Sequence, residues 1–202
     1  MSRLILVRHG ETLWNREHRL QGTSDQALSD CGHDQAERLA AALPGPVAKI
    51  YVSPLLRTHQ FAAPLAARFN LVPEVLEELR EMSFGHLEGL TYAEMDDDRR
   101  QIFESWLHNP VRYSMPGGET MRVLSRRVGR AVQKMTDGSM EKGTPVVAVS
   151  HGGVIRVAVA RLLGMKLTVI PRIQVETGSI TVLEKAGSVW RLLLLNDTCH
   201  LR

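Results

Sequence analysis

The chain has 202 residues, 44% of them apolar, and a formal net charge of +3; that is enough for one sizeable core, and division in two would leave each part small, so we expect a single domain spanning 1–202. No stretch approaches the roughly 18 apolar residues of a membrane span, and the N-terminus lacks a cleavable-leader pattern. Cys31 and Cys199 are the only cysteines and have no metal-ligand spacing, so the expectation is a cytoplasmic protein with reduced thiols, no metal, no cofactor and no membrane partner.

Leu4 to Val7 is an apolar run that leads directly into Arg8, His9 and Gly10. Such a run bounded by glycine fits a strand covered on both faces, and open α/β sheets place their ligand crevices at the carboxyl ends of such strands. Gly10 is expected to let the backbone turn and approach a ligand closely. Arg16 to Gln26 is polar and contains Gly22, a loop able to fold over the strand end. Ser29 is placed as an N-cap for a helix over Asp30 to Leu43, in which Ala36, Leu39, Ala40 and Leu43 share a face. Pro44-Gly45-Pro46 ends it, and Ala48 to Val52 forms a second strand.

Ser53-Pro54 begins a further helix, expected to run to about Arg68 with Pro54 at its start and Arg57 in its first turns. A cation there opposes the helix macrodipole, which hints at a bound anion. Leu71 to Leu79 is read as a third strand. It leads to a loop, Glu81 to Gly89, that carries Glu81 and Glu88 and can lie across a pocket. Thr91 to Leu107 reads as helical, Asn109 to Gly118 as irregular, and Glu119 to Met135 as a helix with Leu124, Val128, Ala131 and Met135 inward. Arg122, Arg126, Arg130 and Lys134 make a basic row on another face; without interleaved aromatics it reads as solvated, and no nucleic acid is expected.

Thr144 to Ser150 repeats the opening: an apolar strand, then His151-Gly152-Gly153, then an apolar helix through Leu163. A phosphate near His151 would meet backbone N–H groups at a helix N-terminus. Ser179 to Glu184 and Val189 to Leu195 close the chain as a hairpin. The alternation of strands and helices predicts an α/β class, a three-layer α/β/α domain with a mainly parallel central sheet. Three strand exits bearing His9, Arg57 and His151 can then converge on one cationic crevice.

The motifs Arg8-His9-Gly10-Glu11-Thr12-x-x-Asn15, Ser53-Pro54-x-x-Arg57-Thr58, Glu81-x-x-x-Gly85-x-x-Glu88-Gly89 and Ser150-His151-Gly152-Gly153, in that order, resemble the histidine phosphatase superfamily. The phosphatase branch, with its phosphoglycerate-mutase-like fold, is the closer match. The resemblance implies a metal-independent phosphomonoesterase that hydrolyses a small phosphorylated metabolite through a phosphohistidine, of α-ribazole-phosphatase-like or broad specificity. It makes His9 the nucleophile; Arg8, Arg57 and His151 the groups that bind the transferred phosphoryl; Glu81 the proton donor; and Asn15, Gln21, Gly22 and Gly152 further phosphate or substrate contacts. Glu11 and Glu88 are read as structural acceptors.

Nearby Arg8 and Arg57 disfavour an imidazolium, which keeps His9 nucleophilic at neutral pH. Trp14, Met82, His86, Trp106, Tyr113 and Met115 are rim or core residues. Two other functions compete: a phosphoglycerate mutase, for which Arg99, Arg100 and Arg112 are the candidate carboxylate grips, and a non-catalytic phospho-ligand scaffold. The natural substrate and the oligomeric state, a homo-oligomer included, are left open.

Overall fold

A computed structural model describes residues 2–137 and 143–202. Strand β1 (Ser2–Arg8) is the hub of a six-stranded sheet. It pairs in parallel with β4 (Val146–Ser150), from Leu4 opposite Val146 to Arg8 opposite Ser150. Beyond β4 lie β2 (Lys49–Val52) and the two-residue edge strand β3 (Glu74–Val75), both parallel. On the other side of β1, β5 (Ile180–Ala186) and β6 (Val189–Asp197) add an antiparallel hairpin, giving the order β3-β2-β4-β1-β5-β6.

Successive strand residues face opposite sides of a sheet, so continuous apolar runs build two cores. Leu4, Leu6, Val146 and Ala148 pack towards α5 (Met121–Thr136) and α6 (Gly152–Leu162). Ile5, Val7, Val147 and Val149 pack towards α2 (Asp30–Ala42) and α3 (Leu56–Phe69). The result is the expected three-layer α/β/α arrangement, with helices on both faces of a mostly parallel sheet.

Several boundaries differ from the sequence expectation. The strand expected over Leu71 to Leu79 shrinks to β3, because Leu76 and Leu79 are buried three residues apart, and the spacing suits the 3-10 turn over Glu77–Leu79. The helix expected from Thr91 starts only at Asp97: α4 (Asp97–His108) begins where the Asp96 side chain caps the Arg99 N–H. Pro54 stands before α3 rather than at its first position; Leu55 is the N-cap and Thr58 Oγ1 ties the turn to the Ser53 and Leu55 carbonyls. The basic row of α5 is exposed, as its spacing predicts, and Lys134 pairs with Glu78.

Candidate active site

The β1–β4 register brings the two strand ends level, and the imidazoles of His9 and His151 lie 5.1 Å apart, edge to face. His9 Nδ1 is 2.7 Å from the Gly10 carbonyl, which can only accept, so Nδ1 holds the proton and Nε2 presents a lone pair. The Arg57 Nε–H donates to that Nε2 over 3.2 Å. Burial first, then the charges of Arg57 and Arg8, hold His9 well below the ordinary imidazole pKa.

His151 is fully buried, and its Nε2 meets the Ser53 hydroxyl at 2.7 Å. That hydroxyl oxygen also accepts from the Leu55 N–H, and His151 Nδ1 pairs with no other described residue. Burial, with Arg57 second, depresses the His151 pKa well below its usual value.

Arg57, fully buried at the second turn-forming residue after Leu55, spends its other two nitrogens on the Ser24 and Gly22 carbonyls, at 2.8 and 2.9 Å. It therefore holds the Gln21–Ser24 loop against His9. Gly22 has φ +54°, and a Cβ there would lie 2.1 Å from Glu88 Oε1, so both conformation and space require glycine. Glu88 accepts from the backbone N–H groups of Thr23, Ser24 and Phe84 and from the Ser24 hydroxyl. Glu11 likewise pairs with Arg16 and accepts from Ser29. Both are the structural acceptors expected of them. Gly10 does not face a ligand: a Cβ would lie 2.6 Å from the Gly32 carbonyl oxygen and 2.8 Å from Phe61, so its close approach is to α2 and α3.

Arg8 donates through Nη1 to the Val175 carbonyl at 2.6 Å, while its Nε pairs with no described residue. Burial, then Arg156, pushes its pKa down to about 10, so it stays a cation at neutral pH. Glu81 enters from the acidic loop. Its carboxylate accepts from the Met82 and Gly153 N–H groups at 2.8 and 3.1 Å, which binds the acidic loop to the start of α6. Arg127 anchors that loop from behind, donating to the Glu78 and Glu81 carbonyls while paired with Glu119. Ser150 Oγ donates to the Leu79 carbonyl and adds a tie from β4. One cleft is thus lined by His9, by Arg8, Arg19, Arg57 and Arg156, and by Glu81, while His151 is fully buried beside His9 and is not one of the lining residues.

The histidine phosphatase superfamily (branch 1) family model matches residues 4–198. The chain belongs to the histidine phosphatase superfamily. Phosphoserine phosphatase 1 of Hydrogenobacter thermophilus is 33% identical over 204 residues, spanning 100% of this chain and 95% of the relative. The structure of a mycobacterial glucosyl-3-phosphoglycerate phosphatase superposes with a TM-score of 0.90 at 32% identity, over 98% of this chain and 100% of the other. The α-ribazole phosphatase of Shigella flexneri gives a TM-score of 0.86 at 25% identity, over 96% of each chain. These relatives and the family model make the chain a phosphatase, a phosphoric monoester hydrolase of this superfamily.

The remaining residues of this histidine phosphatase site sort clearly. Asn15 Oδ1 is taken by the Thr12 N–H and hydroxyl in a capping box at α1 (Leu13–Arg16), so only its amide N–H groups are free for the cleft it lines. Gln21 is buried on the same cleft with its Oε1 unpaired, and Gly152 lies beside Arg8. Trp106 lines the cleft; Met82 does too but is buried in the core, and Met115 belongs to the core alone. His86 and Tyr113 are exposed outside it. Arg99 pairs with Asp96, while Arg100 reaches the Ala93 carbonyl and Asp97; neither these two nor Arg112 lines the cleft. The carboxylate grips on which a mutase reading leaned are therefore elsewhere.

Sequence reasoning missed Arg19, Arg156, Phe84, Leu124 and Ile170 on the cleft wall, and Arg127 behind it. Arg156 is one of two cations, with Arg161, in the apolar run Val154 to Leu163, and the sequence alone does not tell them apart.

Proposed function

We propose that this phosphatase works through a phosphohistidine on His9, without a metal, on a small phosphorylated metabolite. The observation that carries the reading is the His9 ring itself. Its Nδ1 proton is held by the Gly10 carbonyl, its Nε2 accepts from the Arg57 Nε–H, the residue lines the cleft, and its pKa is depressed, which supports Nε2 as an unprotonated attacking nitrogen at neutral pH.

In the first step Nε2 bonds to phosphorus as the ester P–O bond breaks in line, and the departing oxygen takes a proton from Glu81. Charge on the equatorial oxygens meets Arg8, Arg57, His151 and the Gly152 N–H, donors fixed in place before the substrate arrives. Asn15 and Gln21 add contacts from the loop side. In the second step water gives a proton to the Glu81 carboxylate and attacks the phosphohistidine, and inorganic phosphate leaves. The cations already present support catalysis without a metal. The two exposed thiols, Cys31 and Cys199, support a cytoplasmic setting.

Turnover of p-nitrophenyl phosphate in excess EDTA tests the reading. Full activity with chelator is expected, and vanadate, which mimics the five-coordinate transition state, should inhibit more tightly than inorganic phosphate. Activity lost to EDTA and restored by Mg²⁺ would refute metal independence, and isomerisation of 3-phosphoglycerate faster than its hydrolysis would establish the mutase.

A further inference from the structure

Beyond the proposed phosphoryl-binding groups, one cation on the cleft wall has no hydrogen-bond partner among the described residues. Arg156 stands on α6 one turn after Gly152 and lines the cleft with Arg8 and Glu81. Among the described residues no hydrogen bond or ion pair reaches its guanidinium. Arg19, the other arginine on that wall outside the motif set, differs sharply, because it is engaged by Glu17, Glu94 and the Gly89 carbonyl. Arg156 also lies close to Arg8: the Cζ atoms of both are within 4 Å of one point beside Gly152. The carboxylates of Glu81 and Glu176 act as opposing charges on both guanidinium groups, but among the described residues neither is hydrogen-bonded to Arg156, so this largely buried cation keeps its donors for a further acceptor.

The second unpartnered donor is Trp106. Its ring is buried to 6% exposure and lines the same cleft, and its indole N–H meets no acceptor in the described protein. A buried indole N–H ordinarily has a partner. Around these two donors the wall is apolar, formed by Phe84, Met121, Leu124 and Ile170.

We propose that Arg156 and the Trp106 N–H form a second anion subsite, which selects phosphomonoesters whose leaving alcohol carries a carboxylate. This rests on the phosphatase reading above and assigns the substrate class of that same cleft. The phosphoryl group already has Arg8, Arg57, His151 and the Gly152 N–H, so Arg156 is available to the alcohol half. A guanidinium fork matches the two oxygens of a carboxylate, and one fork plus one indole donor is a sparse set for a second phosphate dianion. The cleft measures about 170 Å³, below the range for drug-sized ligands, which suits a phosphorylated hydroxy or amino acid of about three carbons.

The test compares kcat/KM for O-phosphoserine and 3-phosphoglycerate with that for glycerol 3-phosphate, a neutral-ended substrate of the same length, in wild type, Arg156→Ala, Arg156→Lys and Trp106→Phe. Wild type should favour the carboxylates by at least about tenfold. Arg156→Ala should cut the carboxylate-to-neutral ratio about 30-fold, mainly through KM, as expected for loss of a charged hydrogen bond. Arg156→Lys should keep part of the preference, and Trp106→Phe should lower it several-fold.

Equal losses on both substrates would assign Arg156 to the transferred phosphoryl and overturn the proposal. So would a wild-type preference for propanediol bisphosphate over the carboxylates. If no phosphomonoester, p-nitrophenyl phosphate included, is turned over, the phosphatase reading fails instead. Calorimetric affinities for O-phosphoserine and glycerol 3-phosphate then decide the subsite on the same ratios.

Discussion

The two halves of the cleft are built differently. The half proposed to meet the phosphoryl group is closed on itself: His9 is held by Gly10 and Arg57, Arg57 by two loop carbonyls, and His151 by Ser53. The half proposed to meet the alcohol leaves Arg156 and the Trp106 N–H without hydrogen-bond partners among the described residues, beside Phe84, Met121, Leu124 and Ile170. The contrast follows from their tasks. A transition state whose geometry never varies rewards donors fixed in advance, whereas groups that recognise one alcohol among many are satisfied only by that alcohol. Glu81 stands at the junction, tied by its carboxylate to the Gly153 N–H of the first half while facing the space of the second.

If the phosphoryl half owes its function to this internal locking, Arg57→Ala should damage it most. The variant removes a charge, a donor to His9 and the clamp on the Gln21–Ser24 loop together. We expect kcat/KM for every phosphomonoester to fall about 10³-fold, comparable to loss of an oxyanion-stabilising donor. A loss under tenfold in steady-state assays would show that the locking is incidental.

The junction can be broken separately. Glu81→Gln should slow hydrolysis of an alkyl phosphate about 10²-fold by removing the proton donor. Its first step on p-nitrophenyl phosphate should survive, because nitrophenolate scarcely needs protonation, and a burst followed by slow dephosphorylation should appear. Equal small effects on both substrates in single-turnover experiments would move the acid elsewhere.

Arg127 sharpens the comparison from outside the cleft. Arg127→Met removes the donor to the Glu78 and Glu81 carbonyls and strands Glu119. We expect a tenfold fall in kcat for alkyl phosphates, a smaller one for aryl phosphates, and a lower Tm, since a half-buried ion pair loses one partner. Equal effects on the two substrate types would make Arg127 a stability residue only.

The smallest effect is on the pH dependence of stability. His9 and His151 both have folded-state pKa values pushed below the unfolded value near 6.5, by burial first and arginine charge second. Above pH 6.5 both states hold these rings neutral, so nothing is lost. As pH falls below 6.5 the unfolded chain takes up protons that the folded chain refuses, and stability drops by up to about 1.4 kcal/mol per pH unit for each ring. Denaturant titrations from pH 7.5 to 5.5 should show this loss, and His151→Asn should reduce its slope. An unchanged slope in that variant would contradict the buried neutral His151.

The legible and illegible parts of the molecule divide along the same line. Leu4 to Val7 and Val146 to Val149 announce buried strands because both faces are covered, and that pattern alone places His9 and His151, just beyond their ends, at one crevice. The meeting of His9, Arg57 and His151 is therefore legible in the sequence, whereas the Gly22, Ser24 and Ser53 groups that hold them are not. Arg156 was not, because its role comes from a tertiary neighbourhood, α4, α5 and the turn at Ile170, that no local spacing encodes. Arg127 was hidden for a related reason: among the arginines of α5 only its contacts with Glu119 and the acidic loop distinguish it from the solvated row. The failed strand over Leu71 to Leu79 has a local cause. Its inward residues, Leu76 and Leu79, are three apart, and a 3-10 turn serves that spacing better than an extended chain.

The central claim is that His9 Nε2 carries the phosphoryl group between substrate and water. Rapid acid-sparing quench of enzyme mixed with ³²P-labelled phosphomonoester, followed by denaturation in base and peptide mapping, tests it directly. The account predicts base-stable, acid-labile label on the peptide containing His9, formed at a rate no slower than turnover, and absent from His9→Ala. Label retained in His9→Ala, on His151 or any other residue, or no covalent label in an active enzyme under single-turnover conditions, would contradict it.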